Sequence, residues 1–178
     1  MKSFCVVVFV VLTVIISRAE DEPYNCIVDF SYRGSVYRYD LTPLYHDTAI
    51  GTDTIFKRFD GNVMFFNFCG FSSSACWTPD TSLCMRDGDF NYYSAGVLDS
   101  QWFEPSPFPF EHPKRGITVH YSSGDSYGCP NGQKRRTTIH IHCKKDATVP
   151  YFSDDYTVDY CNYTFNLYSS AGCATVVN

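Results

Sequence analysis

The sequence has no Cys-x-x-Cys pair, which removes the ligand spacing of zinc ribbons and of thioredoxin-type redox sites. It has no Gly-x-Ser-x-Gly elbow, no His-Glu-x-x-His motif and no phosphate-binding glycine loop. No spacing of acidic residues marks a glycosidase pair. An enzyme is therefore not expected, and no cofactor is implied. Basic residues are few: 14 Lys and Arg stand against 19 Asp and Glu, and a net charge of -5 argues against the basic face of a nucleic-acid binder. Methionine is rare, at 3, while aromatics make 17% of the chain, a balance that favours strands over helices. No helical period of ten residues or more is found. Beyond the first twenty residues no apolar run approaches the length of about 20 that a membrane-spanning helix needs. What remains is a globular chain of 178 residues with 44% hydrophobic content, sized for one domain.

What the chain has in quantity is cysteine. There are nine, and a disulfide framework needs an even number. The N-terminus resolves this. Lys2, an apolar run over residues 4–16 and then Ser17-Arg18-Ala19 have the form of a secretory signal peptide, cleaved after Ala19. An uncleaved anchor is the alternative. Cys5, Lys2 and Arg18 leave with residues 1–19. The mature domain, residues 20–178, keeps eight cysteines, and 12 basic against 19 acidic side chains give it a charge of -7. Eight cysteines in an oxidising compartment read as four disulfides, although 105 pairings are open on the count alone. The expected location is the extracellular space or the lumen of the endoplasmic reticulum, Golgi or lysosome.

Short strand-like runs alternate with turn residues along the mature chain. Ser35-Val-Tyr-Arg-Tyr-Asp40, Val63-Met-Phe-Phe-Asn-Phe68, Gly116-Ile-Thr-Val-His-Tyr121, Arg135-Arg-Thr-Thr-Ile-His-Ile-His142 and Tyr163-Thr-Phe-Asn-Leu167 are the clearest. Many such strands at close spacing predict an all-β sandwich or barrel. The stretch over residues 104–113 holds four prolines and is expected to be an exposed loop rather than a central strand.

Several segments, in order, resemble one family. They are Tyr39-Asp-Leu-Thr-Pro-Leu44, Phe66-Asn-Phe-Cys-Gly70, His120-Tyr-Ser-Ser-Gly-Asp125 through Cys129, Arg135 through Cys143, Cys161-Asn-Tyr-Thr-Phe165 and Ser170-Ala-Gly-Cys173. Together they resemble the mannose 6-phosphate receptor homology (MRH) domain, from Cys26 to Cys173. The resemblance implies the pairings Cys26–Cys69, Cys76–Cys84, Cys129–Cys161 and Cys143–Cys173. It also implies a flattened β-barrel or sandwich of two packed antiparallel sheets.

Family members that bind mannose use a Gln, an Arg, a Glu and a Tyr. A pyranose presents a fan of hydroxyls that donate and accept, which suits a rigid guanidinium fork and a carboxylate. The resemblance places the Arg at Arg135 and the Tyr at Tyr163. Period-two alternation turns Arg135 and Arg136 to opposite faces, and sends Asn162 away from Tyr163. The Gln position is Met85, which cannot make that hydrogen bond. The Glu region contains Asp154 and Asp155 instead. The phosphate-reading segment, Asp125-Ser-Tyr-Gly128, holds no cation, so tight mannose 6-phosphate binding is not expected.

Two further features stand outside the pocket. Asn162-Tyr-Thr164 is a glycosylation sequon. His140 and His142 share a strand face, with His120 the only obvious third ligand, so a metal site is not expected. The resemblance implies a lectin-like module that recognises mannose-type N-glycans on glycoproteins of the secretory and lysosomal route. The alternative is a protein-interaction module, with another luminal protein as partner, whose sugar pocket has decayed. Neither a nucleic acid nor a transmembrane span in the mature chain is expected.

Overall fold

The computed structural model describes residues 26–46, 53–58, 60–72, 76, 80–105 and 112–177. The expected signal segment, residues 1–19, and residues 106–111 of the proline-rich stretch lie outside the described residues. Those described form β1 (Ile27–Tyr32), β2 (Ser35–Asp40), β3 (Thr54–Lys57), β4 (Val63–Phe66), β5 (Thr81–Arg86), β6 (Tyr92–Val97), β7 (Trp102–Pro105), β8 (Gly116–Tyr121), β9 (Arg136–Cys143), β10 (Tyr151–Phe152), β11 (Thr157–Asp159), β12 (Asn162–Ser169) and β13 (Thr175–Val177). Among them there are only single 3-10 turns and no α-helix. Among the described residues no helix is long and apolar enough to cross a membrane.

The strands make three sheets, in the orders β1-β2-β13, β3-β4-β5-β6 and β10-β12-β9-β8-β7, with β11 also pairing on β12. The fold is the expected all-β sandwich, disulfide-stapled and not closed into a barrel. Two details go beyond the expectation: a small third sheet, and a parallel pairing of β9 with β12 amid otherwise antiparallel neighbours. The sequence builds these strands in different ways. In β12 every second residue from Tyr163 to Ser169 is buried, the period of a strand with one face in the core. In contrast, β5, between β4 and β6, is buried on both faces for almost its whole length. The β1–β2 hairpin turns on Arg33 and Gly34, both at positive φ (49° and 80°), as a two-residue loop matched to strand twist requires.

Phenylalanine rings fill the space between the four- and six-stranded sheets. Phe66 meets Phe165 edge-on at 5.3 Å, Phe56 meets Phe165 at 5.5 Å, and Phe152 lies 4.7 Å from Phe66. Phe66 and Phe165 are fully buried. The small sheet is joined to the larger one by Tyr39, whose hydroxyl reaches the carbonyls of Pro113 and Gly116. Four disulfides close the framework: Cys26–Cys69, Cys76–Cys84, Cys129–Cys161 and Cys143–Cys173. These are the pairs that the resemblance implies.

Because Phe165 touches rings from both sheets, Phe165→Ala is expected to cost about 3–5 kcal/mol. Urea unfolding checks this: the midpoint should fall with the slope unchanged. A loss below about 1 kcal/mol would show that this cluster does not hold the sheets together.

Candidate functional site

Arg135 stands one residue before β9, where the chain crosses the loop over residues 122–128. Its amide donates to the Asp125 carbonyl (3.1 Å), and its own carbonyl accepts from the Gly124 amide (3.1 Å). That close approach requires glycine. A Cβ on Gly124 would lie 2.4 Å from the Ser94 carbonyl oxygen and 3.0 Å from the Arg135 Cβ. Arg135 is 5% exposed, while Arg136 is exposed.

A buried guanidinium needs partners. Nε donates to the Tyr163 hydroxyl at 3.3 Å, and Nη1 donates to the Asp125 carbonyl at 3.1 Å. The Tyr93 ring lies beneath it, with the guanidinium carbon 4.5 Å from the centroid. Among the described residues no protein acceptor meets Nη2. The Asp125 carboxylate is turned away from Arg135 and accepts from the Ser94 amide at 2.7 Å, which fixes the loop against β6.

Tyr93 is in turn oriented by its surroundings. Its hydroxyl donates to Asp87 at 3.1 Å, and its ring stacks on Tyr127 at 6.0 Å and 11°, with Tyr127 76% exposed. Tyr93 thus runs from the buried guanidinium to the surface. Sequence reasoning missed Tyr93, Tyr127 and the Asp125 carbonyl. No sequence signal marks them, since they meet Arg135 through pairings between distant segments.

The other candidate residues are placed differently. Met85 is buried (6% exposed) directly across from Tyr93, so it joins the core beneath the pocket. The residue opposite Tyr163 is Val158 on β11, which packs on the core. Asp154 and Asp155 are both exposed, in the bend between β10 and β11. The Asp155 carbonyl accepts from the Asn166 side chain at 2.9 Å, three residues along β12 from Tyr163 and on its opposite face. At about 3.3 Å per residue that is some 10 Å away. No hydrogen bond or ion pair among the described residues joins either carboxylate to Arg135. The structure brings together Arg135 and Tyr163, with Met85 below, and leaves the two aspartates outside.

The histidines lie on the outer face of the six-stranded sheet. Their ring nitrogens meet hydroxyls and amides: His140 Nδ1 and Thr118 (2.9 Å), His120 Nδ1 and Thr138 (3.1 Å), His142 Nε2 and Asn166 (2.8 Å). His120 Nε2 lies 2.9 Å from Glu104 without an aligned hydrogen bond. No group of three or more metal-ligating side chains occurs among the described residues. Burial, and next the neighbouring His142 and His120, hold the His140 imidazole below its ordinary value of 6.5, against an opposing pull from Glu104.

Two outcomes are expected. Tyr163→Phe takes the acceptor from a buried charged donor and should cost about 1.5–3 kcal/mol in urea unfolding. An unchanged midpoint would show that water replaces the hydroxyl. Because His140 binds its proton less readily folded than unfolded, stability should fall as pH drops through 6.5. His140→Gln should reduce the difference between midpoints at about pH 7.5 and pH 5. An equal difference in both proteins would assign the loss to other groups.

Comparison with solved structures gives the fold its place. Chicken IGF2R domain 11 matches with a TM-score of 0.59 at 21% identity, over 82% of this chain and 90% of that one. Domain 11 of the echidna mannose 6-phosphate/IGF2R receptor, a solution structure, gives 0.57 at 22% identity, over 84% and 94%. The Yos9 MRH domain complexed with α3,α6-Man5 gives 0.34 at 14% identity, over 81% and 74%. No family model matches the sequence, and no curated protein does. The strand arrangement, the four disulfides and the likeness to the receptor domains agree: this chain has the fold of those receptor domains, a mannose 6-phosphate receptor homology fold.

Proposed function

We propose that this domain is a lectin-like binding module that takes a mannose-type glycan at Arg135, on glycoproteins of the secretory or lysosomal route. One observation carries the reading. A buried arginine is held rigid by Tyr163, Tyr93 and the Asp125 carbonyl, with Nη2 still lacking a protein acceptor among the described residues. Such a donor is preorganised for a sugar hydroxyl and loses little freedom on binding. The Tyr163 hydroxyl accepts from Nε and keeps its own proton to donate. The exposed Tyr127 ring, stacked on Tyr93, offers an aromatic face beside these groups, suited to the C–H face of a pyranose. The reading assigns no catalytic step. The signal-peptide-like start and the four disulfides support a secreted or luminal setting.

A second reading is a protein-interaction module with no glycan binding. Met85 and Val158 favour it, because an apolar side chain stands at the Gln position and another stands opposite Tyr163. With the carboxylate and amide gone, fewer hydroxyls are read, and affinity for one sugar unit should be weak.

A glycan array followed by titration with a mannose trisaccharide separates the two. On the first reading, mannose-terminated glycans bind. Arg135→Ala then weakens binding about ten-fold or more, the equivalent of one lost charge-assisted hydrogen bond. The exposed Lys134→Ala serves as a folded control that leaves binding intact. An array with no mannose signal, or one that Arg135→Ala leaves unchanged, overturns the lectin reading in favour of the second.

A further inference from the structure

The outer face of the six-stranded sheet carries a groove of about 410 Å³, on the side of the sheet away from Arg135. Strand register explains its shape. Thr164 pairs with Thr138, Thr138 with His120 and His120 with Trp102, so four outward side chains form one row across β12, β9, β8 and β7. The next row holds Asn162 beside Arg136. All six line the groove. Three inter-strand spacings of about 4.8 Å carry the row roughly 14 Å from β12 to β7, the reach of a short oligosaccharide.

The lining has a consistent chemistry. Trp102 is 50% exposed, and its ring is oriented by stacking on His120 at 3.8 Å and 9°. Thr138 and Thr164 bring hydroxyls. The Arg136 side chain has no protein partner among the described residues, so its donors face solvent. An aromatic platform ringed by neutral hydroxyls and one guanidinium fits a polyhydroxylated ligand.

Asn162 and Thr164 are the first and third residues of the sequon. Both point into this groove because they are two apart on one strand. The Asn162 carbonyl oxygen accepts from Gln133 Nε2 at 3.0 Å, and the amide nitrogen is left without a partner among the described residues. That nitrogen is the atom an N-glycan attaches to.

We infer that Asn162 is glycosylated and that the groove seats the proximal sugars of the chain's own glycan, with Trp102 as the stacking platform. The attachment is a group transfer from a lipid-linked oligosaccharide diphosphate. Asn162 Nδ2 bonds to the anomeric carbon of the first sugar, the bond from that carbon to the diphosphate oxygen breaks, one amide proton is lost, and the lipid diphosphate departs. Arg135 and the six outward side chains of the groove lie on opposite faces of one sheet, with Tyr163 of β12 bordering both, so the substitutions that test one site leave the side chains of the other in place.

The experiment uses the full chain secreted from eukaryotic cells. Peptide mass spectrometry should find glycan on Asn162, absent in Thr164→Ala and restored in Thr164→Ser. Seating is read from the rate at which a glycan-releasing amidase acts on the folded protein. Trp102→Ala should speed release about five- to ten-fold, the worth of one aromatic contact. Trp102→Leu, which keeps an apolar side chain on the edge strand, should do so too, and guards against a misfolded variant. Denatured forms should release at equal rates. A secreted wild-type protein with bare Asn162 overturns the inference. So does a glycan released as fast from wild type as from both Trp102 variants.

Discussion

The parallel pairing of β9 with β12 is the constraint on which both faces of this molecule depend. Parallel neighbours cannot be joined by a tight turn, so the chain between them must leave and return. Here residues 144–161 make that excursion, and on the way β10 and β11 both pair with the free edge of β12. The register runs unbroken from Asn162 opposite Arg136 to Ser169 opposite Cys143. Cys129–Cys161 lies at one end of the pair and Cys143–Cys173 at the other. Each bridge contributes on the order of 2–4 kcal/mol by restricting the unfolded chain. Their placement matters as much as their energy. A slip of one residue would turn every side chain of β12 to the opposite face, carrying Tyr163 out to solvent and Asn162 in. A strand bridged at both ends has little freedom to slip.

The register also decides how the guanidinium of Arg135 is neutralised. The pocket supplies a tyrosine hydroxyl, a peptide carbonyl and the face of Tyr93, and no carboxylate among the described residues. An ion pair would satisfy the charge more fully, but it would also take up the donors and the local potential. With dipoles and an aromatic face as partners, the cation keeps an attraction for an incoming acceptor. The same arrangement limits selectivity. A site distinguishes hydroxyl patterns by leaving buried groups unpaired when the wrong sugar enters, and Met85 and Val158 have no polar group to leave unpaired. On the lectin reading, such a site would hold a polar ligand without reading it closely.

How much of this was legible in the sequence follows from which interactions are local. β2 and β12 are readable because each alternates in period two beside a solvated or half-solvated face, and β8 because its apolar and polar residues alternate in sequence even though it is buried almost throughout. β5 was not, since Thr81 and Ser82 look like loop residues yet are buried, with the Thr81 hydroxyl donating to Ser94 on the next strand. β1 was missed because its hairpin turn is Arg33-Gly34, without the Asn or Asp that marks such turns. Arg135 and Tyr163 were found by resemblance and alternation, both of which act along the chain. Asp154 and Asp155 stand in the region where the resembled family has its Glu, but the bend after β10 and the pairing of β11 set Val158 beside Tyr163 instead. Tyr93 depends on contacts across two strands and a loop, which no spacing encodes.

The treatment of sheet edges indicates how this domain meets other molecules. An open edge strand is a template for pairing with another backbone. The β6 edge is covered, because the loop over residues 122–125 bonds to Ser94 and Val97. The outer strands of the six-stranded sheet are short: β10 has two residues, β11 has three, and β7 has four and ends in Pro105. Proline and brevity both work against strand addition. The faces, in contrast, are furnished with side chains: Tyr93, Tyr127 and Arg135 on one side, and on the other Trp102 over His120 and Tyr168 stacked between His142 and Tyr151. With these backbone edges blunted, what the fold presents on its faces is aromatic rings and side-chain donors, the groups on which the proposed glycan sites rest. Polyhydroxylated ligands can be held in that way, whereas an extended peptide seeking a strand partner at these edges would find little to pair with.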